Sequence, residues 1–244
     1  MLAHAHGRSA GSGARRIWRR QGESPGTMPT NSGEQPAGPS PSPCMPTVTR
    51  EELSRRPSRL LSAGRNRTKA DVLLFDLGQE SVVVKDFGPR GLIVRSTIGR
   101  FSVSRECRAY ERLTGLPGVP AFRGRLDAHA FACAFARGRP LPEYARRSLP
   151  SSFFRDLEGL LERIHERGVA LADLHHRNVI VEEKTGSPAL IDFSLALVRP
   201  SPWNLPGRWL FERARRLDRI AVERMRLRYE MPAASVPNTA GFRL

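Results

Sequence analysis

The sequence predicts an α+β protein of two lobes, a strand-rich half followed by a helix-rich half. Short apolar runs of strand length fill residues 72–94. Apolar residues then recur at helical spacing from Phe153 to Ile164. Between that helix and a basic C-terminal helix lies a small hairpin framed by polar residues. Strands gathered ahead of helices, rather than alternating with them, indicate α+β and not a parallel α/β sheet. The chain has 244 residues and is 39% hydrophobic, enough for a core, and no apolar run approaches the roughly 20 residues needed to span a bilayer.

Residues 1–50 hold 7 Gly, 7 Pro and 6 Ser, but among Leu, Ile, Val, Phe and Tyr only Leu2, Ile17 and Val48. Such a stretch cannot bury enough apolar area to offset its ordering entropy, so it reads as a disordered basic extension. Its Arg15-Arg16-Ile17-Trp18-Arg19-Arg20 cluster has no apolar region behind it and is not a secretory signal. A dispensable leader before a start at Met28 or Met45 remains an equal reading.

Order is expected from Glu51. Val72–Phe75, Ser81–Phe87 and Leu92–Val94 read as strands, with Asp76-Leu77-Gly78-Gln79-Glu80 as a hairpin turn. A helix over Val103–Thr114 ends at Gly115 and Pro117. Phe131–Phe135 reads as a buried strand that Gly138 and Pro140 break. The long helix buries Phe153, Phe154, Leu157, Leu160, Leu161 and Ile164 and ends at Gly168. Val179–Val181 and Ala189–Ile191 form the hairpin, and a helix over Trp209–Arg228 closes the chain. The lobes are therefore expected at 51–135 and 136–244.

Charge narrows the function. The net charge is +16, from 37 Arg and only three lysines, Lys69, Lys85 and Lys184. Residues 69–195 carry only +3, whereas residues 1–68 carry +7 and residues 196–244 carry +6. The centre is balanced like a globular enzyme, and the ends are basic. Cys44, Cys107 and Cys133 make neither a disulfide framework nor a CxxC metal site, which points to a reducing compartment. A secreted disulfide scaffold, an integral membrane protein and a zinc finger are excluded.

The hairpin holds the chemistry. Asp173 and Asn178 flank a tight loop ahead of one β run, and Asp192 ends the other. Two carboxylates and an amide thus converge at one end of the hairpin, a hard-oxygen set that suits Mg²⁺. The loop Asp173-Leu174-His175-His176-Arg177-Asn178 resembles the protein-kinase catalytic loop, in which an aspartate precedes an asparagine by five positions. Asp192-Phe193-Ser194 resembles the magnesium-binding Asp-Phe-Gly. Val82-Val83-Val84-Lys85 resembles the strand ending in the nucleotide lysine, and Glu106 resembles its helical partner. All five positions keep the family's order, over about residues 60–195. Asp-Leu-His-His-Arg-Asn and Arg-Glu-x-x-Ala-Tyr resemble the small bacterial lipopolysaccharide-core (Kdo) kinase-like proteins and RIO-like small kinases within the protein-kinase-like superfamily.

The resemblance implies a two-lobed protein-kinase-like fold with a minimal C-lobe and no extended activation segment. It implies ATP and Mg²⁺ as cofactors. Asp173 would orient the acceptor hydroxyl and take its proton, and His175 would donate to the transferring phosphate. Asn178 and Asp192 would hold Mg²⁺, while Lys85 would bind the α- and β-phosphates, steadied by Glu106. Glu106, Tyr110 and Leu113 share a helical stripe, which turns the carboxylate inward; Glu111 competes for the role. His165 is expected to pack or cap at its helix end. His4, His6 and His129 read as incidental, His176 as structural or catalytic, and Cys107 and Cys133 as buried small hydrophobes.

Departures from the family pattern restrict the substrate. There is no G-x-G-x-x-G before Val72; Gly64-Arg65-Asn66-Arg67 is the only candidate phosphate loop. Leu171 stands where protein kinases carry the His of His-Arg-Asp, Ser194 replaces a glycine, and no Ala-Pro-Glu follows. A peptide acceptor has little room. The expected function is an ATP-dependent kinase acting on a sugar hydroxyl of an anionic glycolipid such as lipopolysaccharide core. Its expected place is the cytoplasm, with peripheral contact at the inner membrane face. A minimal protein Ser/Thr kinase and a catalytically silent kinase-like binding protein are the alternatives. On the C-terminal helix, Leu210, Ala214, Leu217, Ala221 and Met225 form an apolar stripe amid arginines. Two readings stand: a packed helix with a solvated arginine face, or an electrostatic dock for an anionic lipid surface. No RNA-binding or recognition-helix motif accompanies the charge, which weighs against nucleic acid.

Overall fold

The structure, a computed structural model, describes residues 47–63, 69–89, 91, 97 and 99–232. The N-terminal cluster at Arg15–Arg20, the candidate loop at 64–67 and the expected strand at 92–94 lie outside the described residues.

A five-stranded antiparallel sheet builds the first lobe, in the order β1 (Ser58–Ser62), β2 (Asp71–Asp76), β3 (Ser81–Asp86), β5 (Ala130–Ala134), β4 (Phe122–Arg125). The β2–β3 turn forms where the sequence places it. Leu77 N–H donates to the Glu80 carbonyl at 2.9 Å, and the Asp76 carboxylate accepts from Gly78 N–H at 2.9 Å. Side chains alternate along β3. Val82 and Val84 face one side with Phe75, Ala130 and Ala132, where Val48 and Leu53 cover them. Val83 and Lys85 face the other, opposite Cys133 and Phe131.

Leu53 belongs to a short helix, α1 (Arg50–Ser54), N-capped by Thr49 through Glu52 N–H. Order thus begins before Glu51, because Val48 is buried and its N–H pairs with the Arg123 carbonyl. Helix α2 (Arg100–Arg112) starts three residues earlier than the sequence suggests and buries Val103, Glu106, Cys107, Ala109 and Tyr110.

The second lobe is small. Helix α3 (Ser151–Glu166) buries the six apolar residues expected and also His165. Gly138 and Pro140 do not simply break a strand. They form β6 (Gly138–Pro140), which pairs with β8 (Val179–Glu182), and β8 pairs with β9 (Pro188–Leu190). A proline fits there because β6 is an edge strand. Two-residue strands β7 (Val169–Ala170) and β10 (Leu197–Val198) pair antiparallel.

Helix α4 (Leu205–Tyr229) begins four residues before Trp209, with Asn204 as its cap and Pro206 in its first turn. Its register differs from the expected stripe. Phe211, Ala214, Asp218, Val222, Met225 and Tyr229 are buried, while Leu210 and Leu217 are about half exposed. Among the described residues no helix is long and apolar enough to cross a membrane.

Candidate active site

Lys85 reaches the site from the middle of the sheet. Its ammonium donates to Glu106 Oε1 at 2.5 Å and to Asp192 Oδ1 at 2.8 Å. One cation from β3 therefore joins a carboxylate from α2 and a carboxylate that follows β9. Glu106, not Glu111, is the partner, since it lies on the buried stripe with Tyr110 and Leu113. The same Glu106 oxygen accepts Phe193 N–H at 3.2 Å. Tyr110 packs edge-on against Phe193 at 5.0 Å and near Phe131 at 5.8 Å, so an aromatic cluster fixes α2 against both the sheet and the Asp192 segment.

Protonation follows from burial and partners. Burial would lower the Lys85 ammonium, but Glu106 and Asp192 together raise it above its ordinary value, so it is charged. Burial would raise Asp192; Lys85 and the Ser194 hydrogen bonds overcome this and hold it below the usual carboxylate range. Glu106 is pushed up, because its burial outweighs the pull of Lys85. Asp192 is the exposed member of the trio, its side chain 38% accessible against 2% for Glu106.

The hairpin register brings the oxygen donors to one end. Val179 faces Leu190, and Ile191 N–H donates to the Asn178 carbonyl at 2.9 Å, so Asn178 and Asp192 leave the hairpin side by side. Asn178 is buried and its amide nitrogen donates to the Asp173 carbonyl at 3.4 Å, closing the loop. Asp173 is exposed, and among the described residues its carboxylate accepts no hydrogen bond. His175 is exposed on the same loop, its ring 6.4 Å from that of His176, and no polar contact joins it to the lysine trio. His176 packs edge-on against Tyr229 at 6.3 Å. Burial, then Arg228, His175 and Arg177, hold its pKa below the ordinary histidine value.

Two residues at the site carry roles the sequence reading missed. Asp218, 1% exposed on α4, accepts Leu171 N–H at 2.8 Å and Ala172 N–H at 3.0 Å, and lies 3.0 Å from His165 Nε2. His165 is therefore the partner of a buried acid rather than a cap. The Asp218 contacts hold the strained approach to Asp173, where Ala172 has φ 63. Asp192 is also left-handed, at φ 68. A signal was present: Asp218 falls at the centre of the face made by Phe211, Ala214, Val222 and Met225.

Among the described residues no cluster of three or more His, Cys, Asp or Glu side chains could hold a metal by itself. Mg²⁺ does not require one, since it is commonly held by one or two side-chain oxygens plus phosphate and water. Ionised Asp192, with Asn178 on the neighbouring strand end, would supply such oxygens. A cavity of about 780 Å³, lined in part by Ser81, Phe135, Arg137, Glu182 and Lys184, lies at the opposite ends of β3 and β8 and includes none of Lys85, Glu106, Asp173, His175, Asn178 and Asp192.

No protein-family model and no curated protein matches the chain. Solved structures do. The Rio2 kinase of Chaetomium thermophilum in its ADP/Mg²⁺–phosphoaspartate complex aligns with a TM-score of 0.51 at 20% identity, covering 70% of this chain and 55% of that one. Another structure of Rio2 kinase from the same organism aligns with a TM-score of 0.53 at 16% identity, covering 77% and 63%. The chain thus spans less than two thirds of those proteins. The fold is protein-kinase-like, with a minimal C-lobe.

Proposed function

We propose that this protein is an ATP- and Mg²⁺-dependent phosphotransferase with a hydroxyl acceptor. The observation that carries the reading is Lys85 held between Glu106 and Asp192 at 2.5 and 2.8 Å across the two lobes. A fully charged, positioned lysine beside an ionised aspartate is what a triphosphate needs. Phosphoryl transfer demands in-line placement and charge neutralisation more than covalent chemistry. Lys85 binds the α- and β-phosphates. Asp192 and Asn178 hold Mg²⁺, which neutralises the β- and γ-phosphate oxygens when bound. Asp173, exposed and with no competing hydrogen bond among the described residues, orients the acceptor hydroxyl and takes its proton; His175, exposed on the same loop, donates to the transferred phosphate.

The acceptor we propose is a sugar hydroxyl on an anionic glycolipid, at the cytoplasmic face of a membrane. Two features support it: the Asp-Leu-His-His-Arg-Asn and Arg-Glu-x-x-Ala-Tyr motifs, and the short path from Asp192 to α4. That path is tied down by β10 and by Arg199 N–H on the Gly168 carbonyl at 2.7 Å, which leaves no extended platform for a peptide.

The test is Mg-ATP binding by the wild type and by Lys85→Met, with phosphate transfer measured for Asp173→Asn. Lys85→Met should lose nucleotide binding, and Asp173→Asn should bind Mg-ATP yet lose transfer. Undiminished turnover by Asp173→Asn refutes the catalytic assignment. Radiolabel from ATP should enter a lipid extract; label entering generic protein instead refutes the glycolipid acceptor.

A further inference from the structure

Helix α4 is amphipathic twice. Its inward face packs on α3, β7 and β10. On the opposite face, half a turn away at 3.6 residues per turn, Leu205, Trp209, Ile220 and Leu227 form a line, 69, 66, 47 and 74% exposed. Trp203, just ahead of the helix, is 92% exposed. The line is about 33 Å long at 1.5 Å per residue. Arginine surrounds it. Arg215, Arg219 and Arg226, toward the body of the protein, pair with Glu162, Glu212, Glu158 and Glu230. Arg213, Arg216 and Arg224 on the outward side are exposed, and no ion pair involves them among the described residues. Arg213 lies instead 5.9 Å from the Trp209 ring. Glu223 is the acid that shares this face.

We propose that this outward face of α4 lays the protein on an anionic lipid bilayer. An indole ring and aliphatic side chains along one helix face, interleaved with the unpaired guanidinium groups of Arg213 and Arg216, suit the boundary between headgroups and acyl chains. The ring and the aliphatic side chains enter that boundary, and the arginines extend to lipid phosphates. Other occupants fit less well. A second copy across a two-fold axis would set arginine against arginine. Nucleic acid would engage the charge and leave the Trp–Ile–Leu line in water. A partner helix needs a groove; the groove shared with α3 at Glu158, Leu161 and Glu162 takes in Ile220 but not Leu205, Trp209 or Leu227. The surface deepens the glycolipid reading, on which its biological sense rests, but its binding is separable from catalysis.

Flotation of the full chain with lipid vesicles tests it. The protein should float with vesicles of phosphatidylcholine and phosphatidylglycerol in equal parts, and not with phosphatidylcholine alone. Trp203→Ala with Trp209→Ala should weaken flotation at least tenfold. Replacing Arg213, Arg216 and Arg224 by Gln should cost about fivefold per arginine, and added salt should mimic that loss. Circular dichroism and Mg-ATP binding, measured on the same samples, should be unchanged because all five positions are exposed and outside the cleft. Absence of flotation, flotation unaffected by the tryptophan changes, or a tryptophan-dependent dimer in solution overturns the proposal. Flotation without Mg-ATP binding would remove the kinase reading and leave the surface standing.

Discussion

Lys85 neutralises two carboxylates at once, and removing it exposes what each one costs. In Lys85→Met, Glu106 is left buried with Phe193 N–H as its remaining hydrogen-bond donor among the described residues. Stranding a buried charge costs about 3–5 kcal/mol, unless the group takes up a proton. Glu106 already has a raised pKa, so protonation is the cheaper course. A carboxyl whose folded pKa is raised stabilises the fold fully below its unfolded value and loses that contribution as pH rises. Lys85→Met should therefore be closest to wild-type stability near pH 4 and fall progressively behind it toward pH 8. Urea unfolding across that range checks this, and the double variant with Glu106→Gln should remove the pH dependence without restoring nucleotide binding. Asp218 raises the same issue in reverse, one buried anion serving two backbone donors. Asp218→Asn keeps the shape but puts an NH₂ where an acceptor stood, at a cost of about 2 kcal/mol. Because Asp218 holds Leu171 and the left-handed Ala172 ahead of Asp173, phosphate transfer should fall by more than the folded fraction explains. Parallel measurement of unfolding and single-turnover transfer separates the two effects.

Helix α4 shows how an element can be found in the sequence and still be turned the wrong way. Its apolar residues allow two stripes about a third of a turn apart, one through Leu210 and Leu217, the other through Phe211 and Val222. The structure buries the second. Helical periodicity cannot choose between them, because Asp218 lies in the buried face and looks, in sequence, like one more member of an ionic surface. Phe211→Ala should cost about 3–5 kcal/mol and Leu217→Ala about 0.5 kcal/mol; equal losses by urea unfolding would mean the burial is misassigned. Helix α3 was fully legible because its six apolar positions define one stripe with no rival. Strands β7 and β10 were not, since pairs of residues have no period to detect. Strand β1 is exposed along its whole length and so carries no apolar alternation. In sequence Gly138 reads as a breaker, because glycine and proline usually end strands. Its role is close approach: a Cβ there would lie 2.2 Å from the Val181 carbonyl oxygen. Gly138→Ala should therefore separate β6 from β8 and lower the thermal midpoint, the opposite of the gain expected at an unconstrained glycine.

At the scale of the whole molecule, the kinase-like fold was legible because the residues that carry the resemblance recur in a fixed order across both lobes, and those short motifs do not depend on overall similarity. The fold likeness at 16–20% identity makes the same point from the other side. What the motifs do not describe is how the first lobe closes its outer face. The sheet presents Phe75, Val82, Val84, Ala130 and Ala132 on the side away from Lys85, and a lone sheet with an uncovered apolar face is not stable in water. The cover comes from Val48 and Leu53, at 4% and 3% exposure, in a stretch whose Ser, Pro and Arg content resembles the residues before it. Arg50 pins that cover to the sheet and the β4–β5 turn, pairing with Asp86 at 3.1 Å and Asp127 at 2.6 Å. The lobe thus includes residues 47–50, inside the span that composition reads as disordered. Two truncations test this. A chain beginning at Thr47 keeps the cover, and one beginning at Pro57 loses it. The second should be less stable than the first by about 3–6 kcal/mol, from two buried side chains at 1.5–3 kcal/mol each. It should also lose Mg-ATP affinity, because β3 carries Lys85 on one face and the uncovered valines on the other. Equal unfolding midpoints for the two truncations would show that α1 rests on the sheet without supporting it.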